Sequence, residues 1–479
     1  MAPRKIIIDT DPGVDDILAM LLAFSALPKE LEILLISVTY GNVDLQNCLR
    51  NVISVFYHIE REIAWRKSVG REPGFETLRK SKPLVAVGPE HPLDDEMLMA
   101  DFFHGRDGLG GIHESHPHLT PADTWKQMFS SAEGSNGPAQ DIVAEEMKKT
   151  ETIFTPSRTP AHQEILTLLR ENDPDSITIV AIGPLTNLAM AAAEDPETFL
   201  RVKEVVVMGG SIKGAGNVRS SPPSLAQPGT ATKEPPFRLI KQPPSPIRNM
   251  LNQRNQITPT AEFNTYADSY AAARVYALTS PRPRTTMPPV PPAPPGQPEG
   301  EGTPPHLEPY PGKLSRRLKV TLFPLDITEK HVMTRGDFHA VIDPQIAAHS
   351  PLAEWAAVFM ASTFGKVGSL HPEITGDAVG LSLHDPLCVW YCMIRDDPKW
   401  DVIEGEDIRV ETSGQWTRGM NVVDRRSRRR RDDGDDSEVP GDTDGWLTGG
   451  SGNRLRRAVA SPGEPDDFGR VLLKRVFLS

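Results

Sequence analysis

Asp9-Thr10-Asp11-Pro12-Gly13-Val14-Asp15-Asp16 packs four carboxylates into eight residues near the start of the chain. Two carboxylates about 4 Å apart repel by roughly 4 kcal/mol at an effective dielectric near 20, so such a cluster calls for a cation. Oxygen-only ligands at a turn suit a hard ion, Ca²⁺ or Mg²⁺. A plainer reading is that Asp15 and Asp16 favour a helix N-terminus and Asp11 caps it, but that accounts for one or two acids rather than four. Leu383-His384-Asp385-Pro386 adds a carboxylate and an imidazole from far along the chain. Asp385 suits a further ligand and His384 a proton donor, although His-Asp-Pro alone is a common helix start. Glu262-Phe263-Asn264 and Gly216-Asn217 bring polar residues beside a predicted helix and strand.

These residues can meet only if the elements between them fold back repeatedly. Lys5–Asp9 is a short apolar run ending in acid, and Val14, Ile17, Leu18, Leu21 and Leu22 then recur at helical spacing. Ile33–Thr39 reads as a strand buried on both faces, and Leu45–Ile59 as a helix. The alternation returns as strand Ile177–Ile182, helix Pro184–Ala193 and strand Val205–Met208. Further on come helix Tyr266–Leu278, strand Leu318–Phe323, and helices Leu352–Phe364 and Pro386–Ile394. This pattern predicts an α/β fold, a mainly parallel, open, Rossmann-like central sheet with helices on both faces. Ligands bind such sheets at the carboxyl ends of the strands, where the Asp9–Asp16 segment falls.

The 479 residues suffice for one large α/β domain with insertions. Hydrophobic residues make up 38%, and 46 prolines are about twice the average usage, which implies a core diluted by Pro-rich inserts. A formal charge of −12 argues against general nucleic-acid binding. No apolar stretch approaches the roughly 20 residues that span a bilayer, so no membrane partner is expected. The N-terminus lacks a signal peptide's apolar region. Three cysteines cannot make a disulfide framework, which fits a reducing, cytoplasmic setting, and Cys388 and Cys392 read as two thiols on one buried helical face. The expected organisation is a catalytic domain over 1–424, interrupted by low-complexity inserts at 218–257 and 281–313. A charged, unpacked segment follows at 425–467, then a strand-like segment at 468–479 that returns to the domain. The basic run Arg425–Arg431 would suit a nuclear-import address, though a solvated loop is the stronger reading.

Taken together, the chain resembles the inosine-uridine nucleoside hydrolase family over most of residues 5–424. The carriers are Asp9–Asp16, Thr39-Tyr-Gly-Asn42, His104-Gly-Arg-Asp-Gly-Leu-Gly-Gly111, Ile182-Gly-Pro-Leu-Thr-Asn187, Met208-Gly-Gly210, Glu262-Phe-Asn264 and His384-Asp385. Within the family it is most similar to fungal uridine nucleosidases, through His113-Glu-Ser-His-Pro-His118 and Gly414-Gln-Trp-Thr-Arg418. The resemblance implies hydrolysis of the N-glycosidic bond of a ribonucleoside, uridine favoured with inosine or cytidine behind it. It implies a Ca²⁺ held by Asp11, Asp16, Asp385 and the Ile182 carbonyl, with Asp11 also taking a proton from the attacking water. Asp15, Asn42, Asn217, Glu262 and Asn264 would hold the ribose, Asp9 would support the cluster from behind, and His384 and His104 would face the leaving base. A small-molecule partner and a homo-oligomer, dimer or tetramer, are also implied. His113, His116 and His118 could suggest zinc, but their loop is polar and lacks pattern.

Two other readings compete. Asp-x-Asp at a first strand end also marks haloacid-dehalogenase-type phosphatases, but here Pro12-Gly13 follow Asp11, and the late motif is His-Asp rather than an acidic pair. A non-catalytic nucleoside-binding protein gains weight from insert 218–257, which separates Asn217 from Glu262 as if a segment had been spliced into Thr258-Pro-Thr-Ala-Glu-Phe-Asn264.

Overall fold

Ile6, Ile7 and Ile8 are all fully buried, which a strand achieves only when both faces of its sheet are covered. Successive side chains point to opposite faces, so Ile6 and Ile8 enter one core and Ile7 the other. Full burial of such a side chain is worth about 1.5–3 kcal/mol. The computed structural model describes residues 2–95, 97–129, 152–216, 259–290 and 304–478.

The strands of the central sheet are β1 (Arg4–Thr10), β2 (Leu31–Val38), β3 (Leu84–Val87), β4 (Thr155–Pro156), β5 (Ile177–Ala181), β6 (Glu204–Met208), β7 (Val320–Phe323), β8 (Asp401–Glu406) and β9 (Leu455–Ala460). They form one sheet in the order β8-β9-β7-β6-β5-β1-β2-β3-β4. All neighbours run parallel except the edge pair β8 and β9. The main helices are α1 (Val14–Phe24), α2 (Leu45–Ser68), α3 (Ala161–Glu171), α4 (Thr186–Glu194), α5 (Phe263–Ala267), α6 (Ser269–Ala277), α7 (Pro351–Leu370), α8 (His384–Ile394) and α9 (Pro465–Phe477). Helices α1, α2, α7, α8 and α9 cover the Ile6 and Ile8 face. Helices α3, α4 and α6 cover the Ile7 face. Among the described residues no helix is long and apolar enough to cross a membrane.

The mainly parallel, doubly covered sheet is the expected one, with differences in detail. The expected helix Tyr266–Leu278 is two helices, because the Asp268 carboxylate caps the second by accepting from the Ala271 N–H at 2.9 Å. The 425–467 segment is not wholly unpacked: Leu455–Ala460 is β9, inside the sheet. Its charges are paired there, Arg457 with Glu406 at 2.6 Å and Arg456 with Glu204 at 2.7 Å. The 468–479 segment is helical rather than strand-like. Phe468, Leu472, Leu473, Val476 and Phe477 are buried along one side of α9, and Pro465, Asp466 and Asp467 suit its first turn. Insert 218–257 lies outside the described residues, as does 291–303 of the second insert. The far end of that second insert is anchored: the buried Arg274 guanidinium donates to the Leu307 and Glu308 carbonyls at 3.0 and 2.8 Å. Cys388 and Cys392 are buried on α8, as expected.

Candidate active site

β1 ends at Thr10 and α1 begins at Val14, so Asp11-Pro12-Gly13 makes the whole turn at the carboxyl edge of the sheet. Gly13 precedes the helix, and its N–H donates to Asp16 Oδ2 at 3.0 Å, tying the first turn of α1 to its own start. A Cβ on Gly13 would lie 2.6 Å from His104 Nδ1 and 2.8 Å from Asn42 Nδ2. Only glycine lets those two side chains close over the turn.

Asp16 is fully buried and takes hydrogen bonds from the Thr10 hydroxyl (2.6 Å), Gly13 N–H and the Asn42 amide (2.9 Å). Asp11 is also fully buried; its Oδ2 accepts from the Asn42 N–H at 2.7 Å, while its Oδ1 has no hydrogen-bond partner among the described residues. Asp385 comes from the first turn of α8, which α1 packs against. Oxygens of Asp15, Asp16 and Asp385 lie within 4.8 Å of one another. Among the described residues this is the one group of three or more His, Cys, Asp or Glu with metal-holding geometry. The sequence expectation put Asp11 with Asp16 and Asp385 and gave Asp15 to the sugar; the structure groups Asp15 with the other two and sets Asp11 beside them. Burial and the Asp16 charge push the Asp15 carboxyl up to about 7. Burial first, then Asp16, raises Asp11, and burial with the Asp15 charge raises Asp385. Crowded, desolvated carboxylates with an orphaned oxygen fit a hard divalent cation.

Asp9 stands behind the turn. Its Oδ1 accepts from the Ser37 hydroxyl at 2.5 Å and the Asn187 amide at 2.9 Å, and burial pushes its carboxyl up to about 7. Asn187 belongs to the Ile182–Asn187 motif, and its link to Asp9 joins β1, β2 and α4 beneath the site.

A cavity of about 510 Å³ opens above the cluster. Asp15, Asn42, Ile182 and Asp385 line its floor region, with Glu262, Asn264, His104 and His384 on the walls. Every expected site residue that the structure describes is therefore in or directly under this cavity; Asn217 lies outside the described residues. Met99, Phe102, Val367, Leu370, Ile374 and Leu381 add apolar surface to the lining, and Asp101, Glu329, His371 and Glu373 add further polar groups. Its polar groups can bind hydroxyls and its apolar residues can pack a flat ring.

The walls are firmly set. Glu262 is the N-cap of α5: its oxygens accept from the N–H groups of Asn264 (2.6 Å), Thr265 (2.9 Å) and Gly210 (2.9 Å). The Asn264 amide donates to the Ile182 carbonyl at 3.0 Å, joining two expected site residues directly. His104 Nδ1 accepts from the Val14 N–H at 3.3 Å, so its proton sits on Nε2. Burial, helped by nearby His384, lowers His104 to about 3, and burial alone lowers His384 to about 4. Both imidazoles are neutral donors at neutral pH.

Residues that the motif reading passed over hold these groups in place. The Thr328 hydroxyl meets His384 Nδ1 at 2.8 Å. Asp107, inside the His104–Gly111 motif, accepts from the N–H groups of Leu109, Gly111 and His113 and so shapes the loop that delivers His104. The Asn51 amide bridges the Pro12 and Asp107 carbonyls at 2.8 Å each. His113 is part of that scaffold, its two ring nitrogens bonded to Asn51 and Thr120. Arg418, from the Gly414–Arg418 motif, pairs with Asp95 at 2.6 Å and lies over the Tyr266 ring of α5. Motif membership could flag Asp107 and Arg418, but Thr328 and Asn51 carry no sequence signal of their own.

A doubly covered parallel sheet with a carboxylate-floored cavity at its carboxyl edge defines an α/β enzyme that works on a small polar substrate. The family model described as inosine-uridine preferring nucleoside hydrolase matches residues 6–445, and the chain belongs to that family of metal-dependent enzymes that cleave ribonucleosides. Uridine nucleosidase 1 of Arabidopsis thaliana is 33% identical over 45% of this chain and 47% of its own length. The pyrimidine-specific ribonucleoside hydrolase RihA of Salmonella agona is 25% identical over 88% of each chain. A solved plant nucleoside hydrolase shares the fold, with a TM-score of 0.58 at 19% identity over the whole of both chains.

Proposed function

We propose that this chain hydrolyses pyrimidine ribonucleosides, uridine foremost, to ribose and free base, with Ca²⁺ held by the acidic cluster. The observation that carries this reading is the orphaned Asp11 Oδ1, buried beside the Asp15, Asp16 and Asp385 carboxylates under a cavity that Asn42, Glu262, Asn264, His104 and His384 also line. The names of the two relatives, a uridine nucleosidase and a pyrimidine-specific hydrolase, support the choice of base.

In this reading Asp15, Asp16 and Asp385 hold the ion together with Asp11. Calcium bound there supplies a positive centre that lowers the pKa of a neighbouring water. Asp11 Oδ1, free of other partners, accepts the proton from the attacking water. The N-glycosidic bond breaks through an oxocarbenium-like state, and the concentrated negative charge of the floor stabilises the positive charge that grows on the ribose. Asn42 and Asn264, fixed by their bonds to Asp16 and Ile182, orient the ribose hydroxyls. Substrates lacking the 2′-hydroxyl lose part of that grip. His104 Nε2–H and His384 donate hydrogen bonds to the departing base as its charge develops, because neutral imidazoles have no excess proton to deliver.

The test is a panel of uridine, cytidine, inosine, adenosine and 2′-deoxyuridine incubated with the full chain and calcium, with free base followed by chromatography. Uracil release fastest from uridine, and slow from 2′-deoxyuridine, is expected. Faster release from inosine would overturn the base assignment. No free base from any ribonucleoside would overturn the activity and leave a binding protein.

A further inference from the structure

The opposite edge of the sheet carries a recess of about 440 Å³ that plays no part in the reaction. Glu204 begins β6, Lys319 directly precedes β7 and Arg454 directly precedes β9, so the recess lies at the amino ends of strands whose carboxyl ends face the active site. At about 3.3 Å per residue, β6 alone separates the two edges by about 13 Å.

Arg317, Lys319, Arg430, Arg454 and Arg456 converge on this recess, and Glu404 and Asp433 are the acids that line it. Arg456 is committed to Glu404 (2.8 Å) and to the buried Glu204 (2.7 Å), and Asp433 holds both Arg454 (2.9 Å) and Arg317 (2.6 Å). Among the described residues Lys319 is left over. Its ammonium is 4.0 Å from Glu204, a carboxylate that Arg395 and Arg456 already occupy. Arg430 is left over too, bonded among the described residues only to the Gly405 and Asn453 carbonyls at 3.2 and 3.5 Å. Arg430 is also the one member of the basic run Arg425–Arg431 that lines the recess. Burial, reinforced by the nearby Arg454 and Arg317 charges, holds Arg430 below the ordinary arginine range, and burial does the same to Lys319.

We propose that this recess is an oxyanion site that binds a phosphate group between Lys319 and Arg430. A phosphate has oxygens enough to take the Arg430 fork and the Lys319 ammonium at once. The group can come from inorganic phosphate or from a phosphorylated nucleoside. The active site, floored by carboxylates, repels either one, so the recess is where such an anion settles.

Isothermal titration of the full chain with inorganic phosphate, uridine 5′-monophosphate and uridine tests this. Both phosphates should bind saturably at one site, and uridine should give no signal there. Equal affinity would assign the site to the phosphate group alone; tighter binding of the nucleotide would mean that the nucleoside part also touches the recess. Lys319→Gln and Arg430→Gln should each weaken phosphate binding by about tenfold or more, the weight of a lost charge-assisted hydrogen bond. Glu404→Gln should strengthen it, because Arg456 is then freed towards the anion. Glu404 is 65% exposed on the edge strand, so this variant keeps the fold even where the others disturb it. Asp11→Asn should leave phosphate binding unchanged. The proposal is overturned if neither phosphate binds at millimolar concentration, if Glu404→Gln fails to tighten binding, or if Asp11→Asn abolishes it.

Discussion

Replacing Asp385 by Asn should make the protein more stable in chelator while removing its response to calcium. The oxygens of Asp15, Asp16 and Asp385 lie within 4.8 Å of one another. At an effective dielectric of about 20 each ionised pair then repels by about 3.5 kcal/mol, and the three pairs by about 10 kcal/mol together. That is comparable with the whole stability of an ordinary domain, about 5–15 kcal/mol. Asp385→Asn removes two of the three pairs. Proton uptake by the raised carboxyls already relieves much of this repulsion, so a net gain of about 1–2 kcal/mol is expected under chelation. Over the roughly 400 described residues the unfolding entropy is about 0.8 kcal/mol/K, which turns that gain into a Tm rise of about 1–2 °C. For the wild type, calcium at about a hundred times its Kd should add about 2.7 kcal/mol, or about 3 °C. Differential scanning calorimetry with chelator and with calcium reads all four states. The reasoning fails if wild-type Tm ignores calcium, or if Asp385→Asn melts lower than wild type in chelator and keeps the full calcium response.

Other consequences are more local. A Cβ on Gly41 would stand 2.1 Å from Asp11 Oδ2; Gly41→Ala should displace that carboxylate and lower kcat about 100-fold with the fold retained, read by steady-state kinetics and circular dichroism. His384→Ala should slow uridine far more than p-nitrophenyl riboside, whose leaving group needs little help; equal losses on the two would make His384 a structural residue. His58 is buried, stacked on Trp355 and bonded to the Leu119 carbonyl, and burial lowers it to about 3. The unfolded chain takes up the proton near pH 6.5, so this contribution is complete above that pH and is lost as pH falls towards 3. Between pH 7.5 and 5.5 wild type should therefore lose about 1.4 kcal/mol more than His58→Gln, and parallel urea-unfolding curves at the two pH values would contradict this.

Much of this site could be read before any coordinates because its chemistry is concentrated in short contiguous motifs. Asp9–Asp16 contains the strand end, the turn and the helix start together, so its composition alone indicated both the metal-type cluster and its place at the sheet edge. His384-Asp385 was legible as part of a helix start. What the sequence left hidden was partnership across long separations. That Asn42 clamps Asp11 and Asp16, that Asn264 holds the Ile182 carbonyl, and that Glu262 accepts from the Gly210 N–H depend on β2, β1, β5 and β6 lying side by side. The grouping of Asp15 rather than Asp11 with Asp385 depends on where α8 packs against α1. The misreadings near the C-terminus have a similar cause. The charges of 425–467 suggested a solvated loop, yet Arg456 and Arg457 find Glu204 and Glu406 on other strands. The apolar run Val471-Leu472-Leu473 looks like a strand until Phe468 and Val476 are counted with it at helical spacing.

The central claim is that Asp11 and its neighbouring carboxylates drive hydrolysis of a ribonucleoside. Its most direct test is uracil release from uridine by wild type and by Asp11→Asn at saturating calcium, with folding of both checked by circular dichroism. Loss of a general base costs about 10²–10⁴-fold, so the Asn variant should fall at least about 100-fold below wild type. An Asn variant that kept a tenth or more of the wild-type rate would contradict the account.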